Sequence, residues 1–193
     1  MELTDMFMPE ELLLPSMPGV RLAICALGNV SAPCRRRDRE RDAVRCLVGH
    51  IFGTGAEYCH NADGSPYIAG SDKFISVSHS REHAVLAVSD TPGLGVDIEQ
   101  MRLSQLRHVS ERFLGRNELP MFADDRHLLW AWCAKEAVYK AAGKPGLSGP
   151  EIELATPLCD EACVGNRRFA LSTVFGYSGC IGCIVVGLEV TNS

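Results

Sequence analysis

Apolar positions change their period along this chain, and each change marks an element. Val20 to Leu27 alternates closely enough to predict a strand opening a sheet. Val44, Leu47, Val48 and Ile51 then recur at helical spacing, and Gly53 and Gly55 close the helix they predict. Tyr58 to Ile68, broken by Asn61-Ala-Asp-Gly-Ser65, reads as strand, turn and short strand. Phe74 to Ser80 and His83 to Ser89 form a hairpin across Arg81-Glu82. Gly95 to Glu99 is a further strand. A helix capped by Ser104 runs to about Leu114, with Leu106, Val109 and Phe113 inward, and Glu118 to Phe122 adds a turn or two of helix before Pro120 interrupts it. A long helix begins at a cap on Asp124 or Asp125 and stops at Gly143. The chain ends in a strand from Glu151 to Ala155, a loop, and a hairpin of Arg168 to Phe175 with Cys180 to Val190. Phe169-Ala-Leu-Ser-Thr173 and the Cys180 strand echo the Phe74 hairpin, a weak internal repeat.

Composition narrows the classes. Of 193 residues, 46% are hydrophobic and 22% charged, as in an ordinary globular protein large enough to bury a core. The net charge of -5 argues against general binding to nucleic acid or membranes, whose anionic surfaces would repel it. Nine cysteines scattered through apolar segments imply free thiols in a reducing compartment, so a cytoplasmic location is expected. The opening residues have neither the basic start nor the apolar run of a secretory leader, and Leu12 to Leu14 is too short to span a bilayer. Up to Gly19, with Pro9, Pro15 and Pro18, the chain reads as an extended arm from which Phe7 and Leu12 to Leu14 cover apolar surface.

Candidate chemistry gathers on two segments. In Gly95-Val-Asp-Ile-Glu99 the period of two puts Asp97 and Glu99 on one face and Val96 and Ile98 on the other. In Trp132-Cys-Ala-Lys-Glu-Ala-Val-Tyr-Lys140 the period of four aligns Trp132, Glu136 and Lys140, beside an apolar stripe of Leu129, Cys133 and Ala137. Three carboxylates held close together repel one another unless a cation neutralises them. Magnesium suits such a set, because it takes oxygen ligands and completes its shell with water and substrate phosphates, which points to a substrate carrying a pyrophosphate.

Gly-x-Asp-x-Glu and Trp-x-x-Lys-Glu-Ala-x-x-Lys, about forty residues apart, resemble the signature of the 4'-phosphopantetheinyl transferases, and the longer, surfactin-synthetase-activating type is the nearer likeness. The resemblance implies an α+β fold of two similar α/β halves related by a pseudo-twofold axis, each a small antiparallel sheet packed by a long helix, with the active site at their seam. It places an arm at 1–19, a first half at 20–94 and a second at 95–193, in a monomer that is a pseudo-dimer. It implies transfer of 4'-phosphopantetheine from coenzyme A to a serine of an acyl or peptidyl carrier protein, with release of 3',5'-ADP. Asp97, Glu99 and Glu136 would hold magnesium. Glu136 would also take the serine proton, directly or through water, and Lys140 would stabilise or protonate the leaving phosphate. Lys135 would contact phosphate. Ser78 and His79, in Phe74-Ile-Ser-Val-Ser-His-Ser80, would meet the phosphates of coenzyme A, and Arg45, in Asp42-Ala-Val-Arg-Cys-Leu-Val48, its 3'-phosphate. Arg112-Phe113 and Glu118 match the region that receives the protein substrate. Carrier proteins are acidic, so Arg107, Arg112 and Arg116 are candidates for docking one.

Departures from the pattern mark open points. The family's lysines upstream of Arg45 have no match, and Arg35 to Arg37 is a candidate substitute. Gly64-Ser65-Pro66 stands where a lysine is usual, with Lys73 as a possible replacement, and Pro145 is inserted in the loop after the long helix. Two other activities use the same residues: a magnesium-dependent phosphohydrolase, in which water attacks, and a silent coenzyme A or carrier-binding module. Cys159, Cys163, Cys180 and Cys183 approach the spacing of a zinc site, but 180 and 183 sit three apart on one strand and point to opposite faces, which favours packing.

Overall fold

Residues 8–27, 35–101 and 103–191 are described by a computed structural model, side chains at 103–105 and 181 excepted. Phe7, Cys34 and the capping side chain of Ser104 lie outside the described residues. The chain divides into two units, Met1–Thr91 and Pro92–Ser193. Both are α+β, built on antiparallel sheets, and three α-helices are present among the described residues. None of these helices is long and apolar enough to cross a membrane.

In the first unit β1 (Glu10–Leu12), β2 (Val20–Ala26), β5 (Phe74–His79) and β6 (His83–Ser89) form one antiparallel sheet in the order β1-β2-β6-β5. The arm therefore contains an element that its prolines obscured: β1 pairs with β2 at Glu11 and Ala23, and the Arg21 guanidinium grips the Glu11 carboxylate at 2.7 and 3.2 Å. α1 (Arg36–Phe52) lays Ala43, Val44, Leu47 and Val48 on Ala23, Cys25, Leu86 and Val88 of the sheet. β3 (Tyr58–His60) and β4 (Pro66–Ile68) pair as a short ribbon around the expected turn.

In the second unit β7 (Leu94–Gln100), β8 (Glu153–Leu154), β9 (Glu161–Val164), β10 (Arg167–Tyr177) and β11 (Cys180–Glu189) form an antiparallel sheet ordered β7-β11-β10-β9-β8. α2 (Leu103–Phe113) and α3 (Asp125–Ala142) complete it. Asp124 caps α3, accepting the N–H bonds of Arg126 and His127, and Gly143 ends it in the left-handed conformation. Residues 116–122 are successive turns, because Glu118 turns inward and its carboxylate accepts the Gly115 N–H at 2.6 Å. β9 lies in the segment expected to be a loop. It is four residues long and joins β10 through the two-residue turn Gly165-Asn166.

The α3 face of the sheet follows from register. β7 and β11 pair Gly95 with Gly187, Asp97 with Val185 and Glu99 with Cys183, and residues directly opposite share a face. Cys183 and Val185, with Phe169 and Leu171 of β10, floor the core under α3. Trp130 is fully buried there, and its indole N–H donates to Thr173 Oγ1 at 2.9 Å.

Candidate active site

Gly95, Asp97 and Glu99 point toward α3, and the glycine sets the spacing. A Cβ on Gly95 would stand 1.9 Å from the Ala137 carbonyl oxygen and 2.7 Å from the Ala141 nitrogen, so only glycine lets β7 lie this close to the helix backbone. The strand runs opposite to the helix: Gly95 meets Ala137 and Ala141, Asp97 meets Lys140, and Glu99 acts with Asp97 on the thiol of Cys133.

Asp97 is buried, and Lys140 Nζ donates to its Oδ1 and to the Val96 carbonyl, both at 2.8 Å. Glu136, one turn back on α3, has its carboxyl pKa raised, first by burial and then by the charge of Asp97, with Lys140 pulling the other way. Glu99 is half-buried and accepts its own neighbour's N–H, from Gln100, at 3.0 Å. Cys133 is fully buried, and burial pushes its thiol well up from the ordinary range, with Cys183, Asp97 and Glu99 adding to the effect. The acids and the lysine anticipated from the two motifs thus stand along one strand-helix contact.

Lys135 does not. It is 3% exposed and donates to Glu118 Oε2 at 2.7 Å, to the Gly149 carbonyl at 3.0 Å and to the Ile152 carbonyl. An ammonium has three protons, and all are used. In place of the expected phosphate contact, Lys135 is seen joining α3 to the 116–122 turns and to the 3-10 turn Gly149–Glu151, and it also lines the cavity beside Glu136. Burial lowers its pKa, and Glu118 opposes the shift. Glu118, in the region expected to receive the protein substrate, is buried and completes its bonding with the Gly115 and Leu154 N–H groups. The clue was in the sequence, since Lys135 shares helical spacing with Ala131, Val138 and Ala142.

A cavity of about 370 Å³ opens beside Glu136, walled by Val109, Phe113, Trp132, Tyr139 and Leu147, with Arg112 at its lining. Phe113 and Trp132 meet edge to face, centroids 5.1 Å apart. Arg107 is ion-paired with Asp125. Three of the four cysteines considered for zinc face different ways: Cys183 lies under α3 beside Cys133, Cys180 meets Gln100, and Cys159 donates to the Glu161 carbonyl.

In the first unit, Ser78 is buried on β5 and His79 is exposed at its end. His79 Nδ1 lies 3.5 Å from Glu40 Oε1, and the Arg36 guanidinium holds the same oxygen at 2.6 Å. Arg45, five residues on, sits about 140° round the helix from Glu40, by the 3.6-residue turn. It is exposed and 3.5 Å from Asp42. His79 is thus joined to Arg36 through Glu40, while Arg45 belongs to another face. Lys73 is engaged by Asp90 at 2.7 Å and Asp72 at 3.5 Å.

Residues 93–170, which carry β7, Glu118 and all of α3, match the family model of the 4'-phosphopantetheinyl transferase superfamily. Over that segment the chain is similar to this superfamily. It is 29% identical over 167 residues to the 4'-phosphopantetheinyl transferase HetI of Nostoc sp., covering 79% of this chain and 70% of that one. It is 33% identical over 136 residues to the 4'-phosphopantetheinyl transferase ffp of Bacillus subtilis, covering 61% and 59%.

A hard divalent ion is implied for a phosphopantetheinyl transferase, and the donor set fits one. Asp97, Glu99 and Glu136 offer only anionic oxygens, and with Lys140 they carry two negative charges in excess when all are ionised. Asp97 is turned to Lys140 and Glu99 to the Gln100 N–H, so both would have to change partners to hold an ion.

Proposed function

We infer that the protein transfers 4'-phosphopantetheine from coenzyme A to a serine hydroxyl of an acyl or peptidyl carrier protein and releases 3',5'-ADP. The serine oxygen bonds to the phosphorus that bears pantetheine, and the bond from that phosphorus to the oxygen of the nucleotide phosphate breaks. One observation carries the reading: Glu136, a half-buried carboxylate of raised pKa, stands beside the Asp97–Lys140 pair. A carboxylate of raised pKa is a better base, so Glu136 is suited to take the serine proton as the oxygen attacks. Lys140 is suited to meet the charge left on the departing phosphate. Magnesium, held by Asp97, Glu99 and Glu136, supplies charge neutralisation at the pyrophosphate when bound.

The aromatic and aliphatic walls of the cavity next to Glu136 suit the uncharged pantetheine arm, and Arg112 suits an acidic carrier. Arg107, already paired with Asp125, is the weaker docking candidate. Ser78, His79 and Arg45 keep their proposed contacts with coenzyme A, joined by Arg36 through Glu40. The likeness of the units, each an antiparallel sheet carrying a long helix, supports an internal duplication. The eight described cysteines are free thiols, which suits the cytoplasm.

The test is to incubate the protein with apo carrier protein, coenzyme A and magnesium and weigh the carrier. A phosphopantetheine mass increase is expected, and it should vanish with Asp97→Ala and with Glu136→Ala while both variants stay folded. Near-normal turnover in either variant would refute the site. Coenzyme A binding without transfer would mark a silent module.

A further inference from the structure

Lys140 does more in this site than await a phosphate. Its ammonium sits on Asp97 Oδ1 and on the Val96 carbonyl, each at 2.8 Å, with Asp97 10% exposed at the side chain and Lys140 29%. Glu136 stands one turn before Lys140 on α3. One lysine is therefore placed beside two of the three acids that would hold a divalent ion. An ammonium and a divalent cation cannot both sit close to one carboxylate without repelling each other, and in a partly buried setting that repulsion is weakly screened.

We propose that Lys140 is a tethered counter-ion to Asp97, displaced when a divalent cation binds there. Cation binding and release of the ammonium toward the substrate's phosphates are then one coupled event. Lys140 keeps the acids neutralised enough to stay buried before substrate arrives, and it becomes available for the leaving phosphate only once the cation is in place. This rests on the transfer reading above and deepens it. A lysine that stood clear of the acids and met only phosphate would have little effect on cation affinity in the absence of coenzyme A. A displaced counter-ion must weaken it, because the cation has to pay for the broken pair.

The experiment titrates the full chain with Mn2+ alone, without coenzyme A, by electron paramagnetic resonance. Lys140→Met should bind Mn2+ more tightly than the native chain, by about tenfold or more given the charge removed. Lys140→Gln, which can still donate to the Val96 carbonyl, should shift the same way and serves if the methionine variant folds poorly. Lys140→Arg, which keeps the cation, should stay near native. Unchanged or weaker Mn2+ affinity in both neutral variants overturns the proposal. Asp97→Asn should remove Mn2+ binding, and if that variant binds as well as the native chain, competition at Asp97 is refuted. Carrier modification by the native chain separates the two levels: with transfer present and no tightening in the neutral variants, only the counter-ion role fails. If no form binds Mn2+ at all, the role of the acids as ion ligands and the counter-ion role fail together.

Discussion

Replacing Lys135 with methionine separates a structural cation from a phosphate ligand. The side chain is 3% exposed and its partner Glu118 9%, so the pair is inside the protein. Methionine fills much of the same volume but leaves the Gly149 and Ile152 carbonyls without their donor and Glu118 with only the Gly115 and Leu154 N–H groups. Removing one partner of a buried pair costs about 3–5 kcal/mol, since the other charge stays behind uncompensated. Against a total stability of about 5–15 kcal/mol this is a large share. The chain has two tryptophans, Trp130 and Trp132, and both lie on α3, so urea unfolding followed by fluorescence reports on the unit concerned. Lys135→Met and Glu118→Gln should each lower the midpoint strongly. The double variant Lys135→Met/Glu118→Leu should lose less than the sum, because no buried charge then lacks a partner. If Lys135→Met loses under about 1 kcal/mol and instead raises the KM for coenzyme A, the internal-cation assignment is wrong.

Three further outcomes follow from the geometry. Gly95→Ala should cost about 1–3 kcal/mol or more by overpacking against Ala137 and should suppress carrier modification, and near-native stability in urea would refute the close strand-helix approach. For Glu136 the folded-state pKa lies above the ordinary 4.5, so the native state holds this proton more tightly than the unfolded chain and the group's contribution falls as pH rises through that window. Glu136→Gln should therefore stabilise the metal-free protein at neutral pH, with the gain shrinking toward pH 4.5 and transfer lost, whereas parallel stability profiles would contradict the shift. Arg45→Ala and Arg36→Ala divide the nucleotide assignment: the residue that meets the 3'-phosphate should raise the KM for coenzyme A far more than for dephospho-coenzyme A, and equal effects on both substrates would remove it.

The two periods, two along β7 and four along α3, were enough to put Asp97 and Glu99 on one face of the strand and Glu136 and Lys140 on one stripe of the helix, because those periods are fixed by backbone geometry, while the meeting of the two rested on the family likeness. The long helix and its cap were legible for the same reason. Sequence patterning was weaker where partners are distant. β1 is three residues held by pairing with β2 and by Arg21, neither of which shows in its own composition. β9 carries a Gly-Asn turn signal but is too short to establish a period. Residues 116–122 hold apolar spacing suited to a helix, yet Glu118 is drawn inward by Lys135 and by two backbone donors from separate segments.

Lys135 and Lys140 show why residue type alone misleads at such a site. Both are lysines of α3, five residues apart, and five residues turn the helix by about 140°. That rotation points Lys140 across at β7 and its acids, and Lys135 into the core among Ala131, Val138 and Ala142. The motif read as one chemical unit is therefore two: Gly95, Asp97, Glu136 and Lys140 form the strand-helix contact proposed to carry the chemistry, while Lys135 and Glu118 fasten the helix to the turns beside it. The same division explains the cavity. The segments that Lys135 holds together, Phe113 to Glu118 on one side and Leu147 to Ile152 on the other, supply much of the wall next to Glu136. Loosening the internal cation would thus open that wall and reach catalysis indirectly, through Glu136's burial, and so would lower the Glu136 pKa toward its ordinary value along with the stability of the unit.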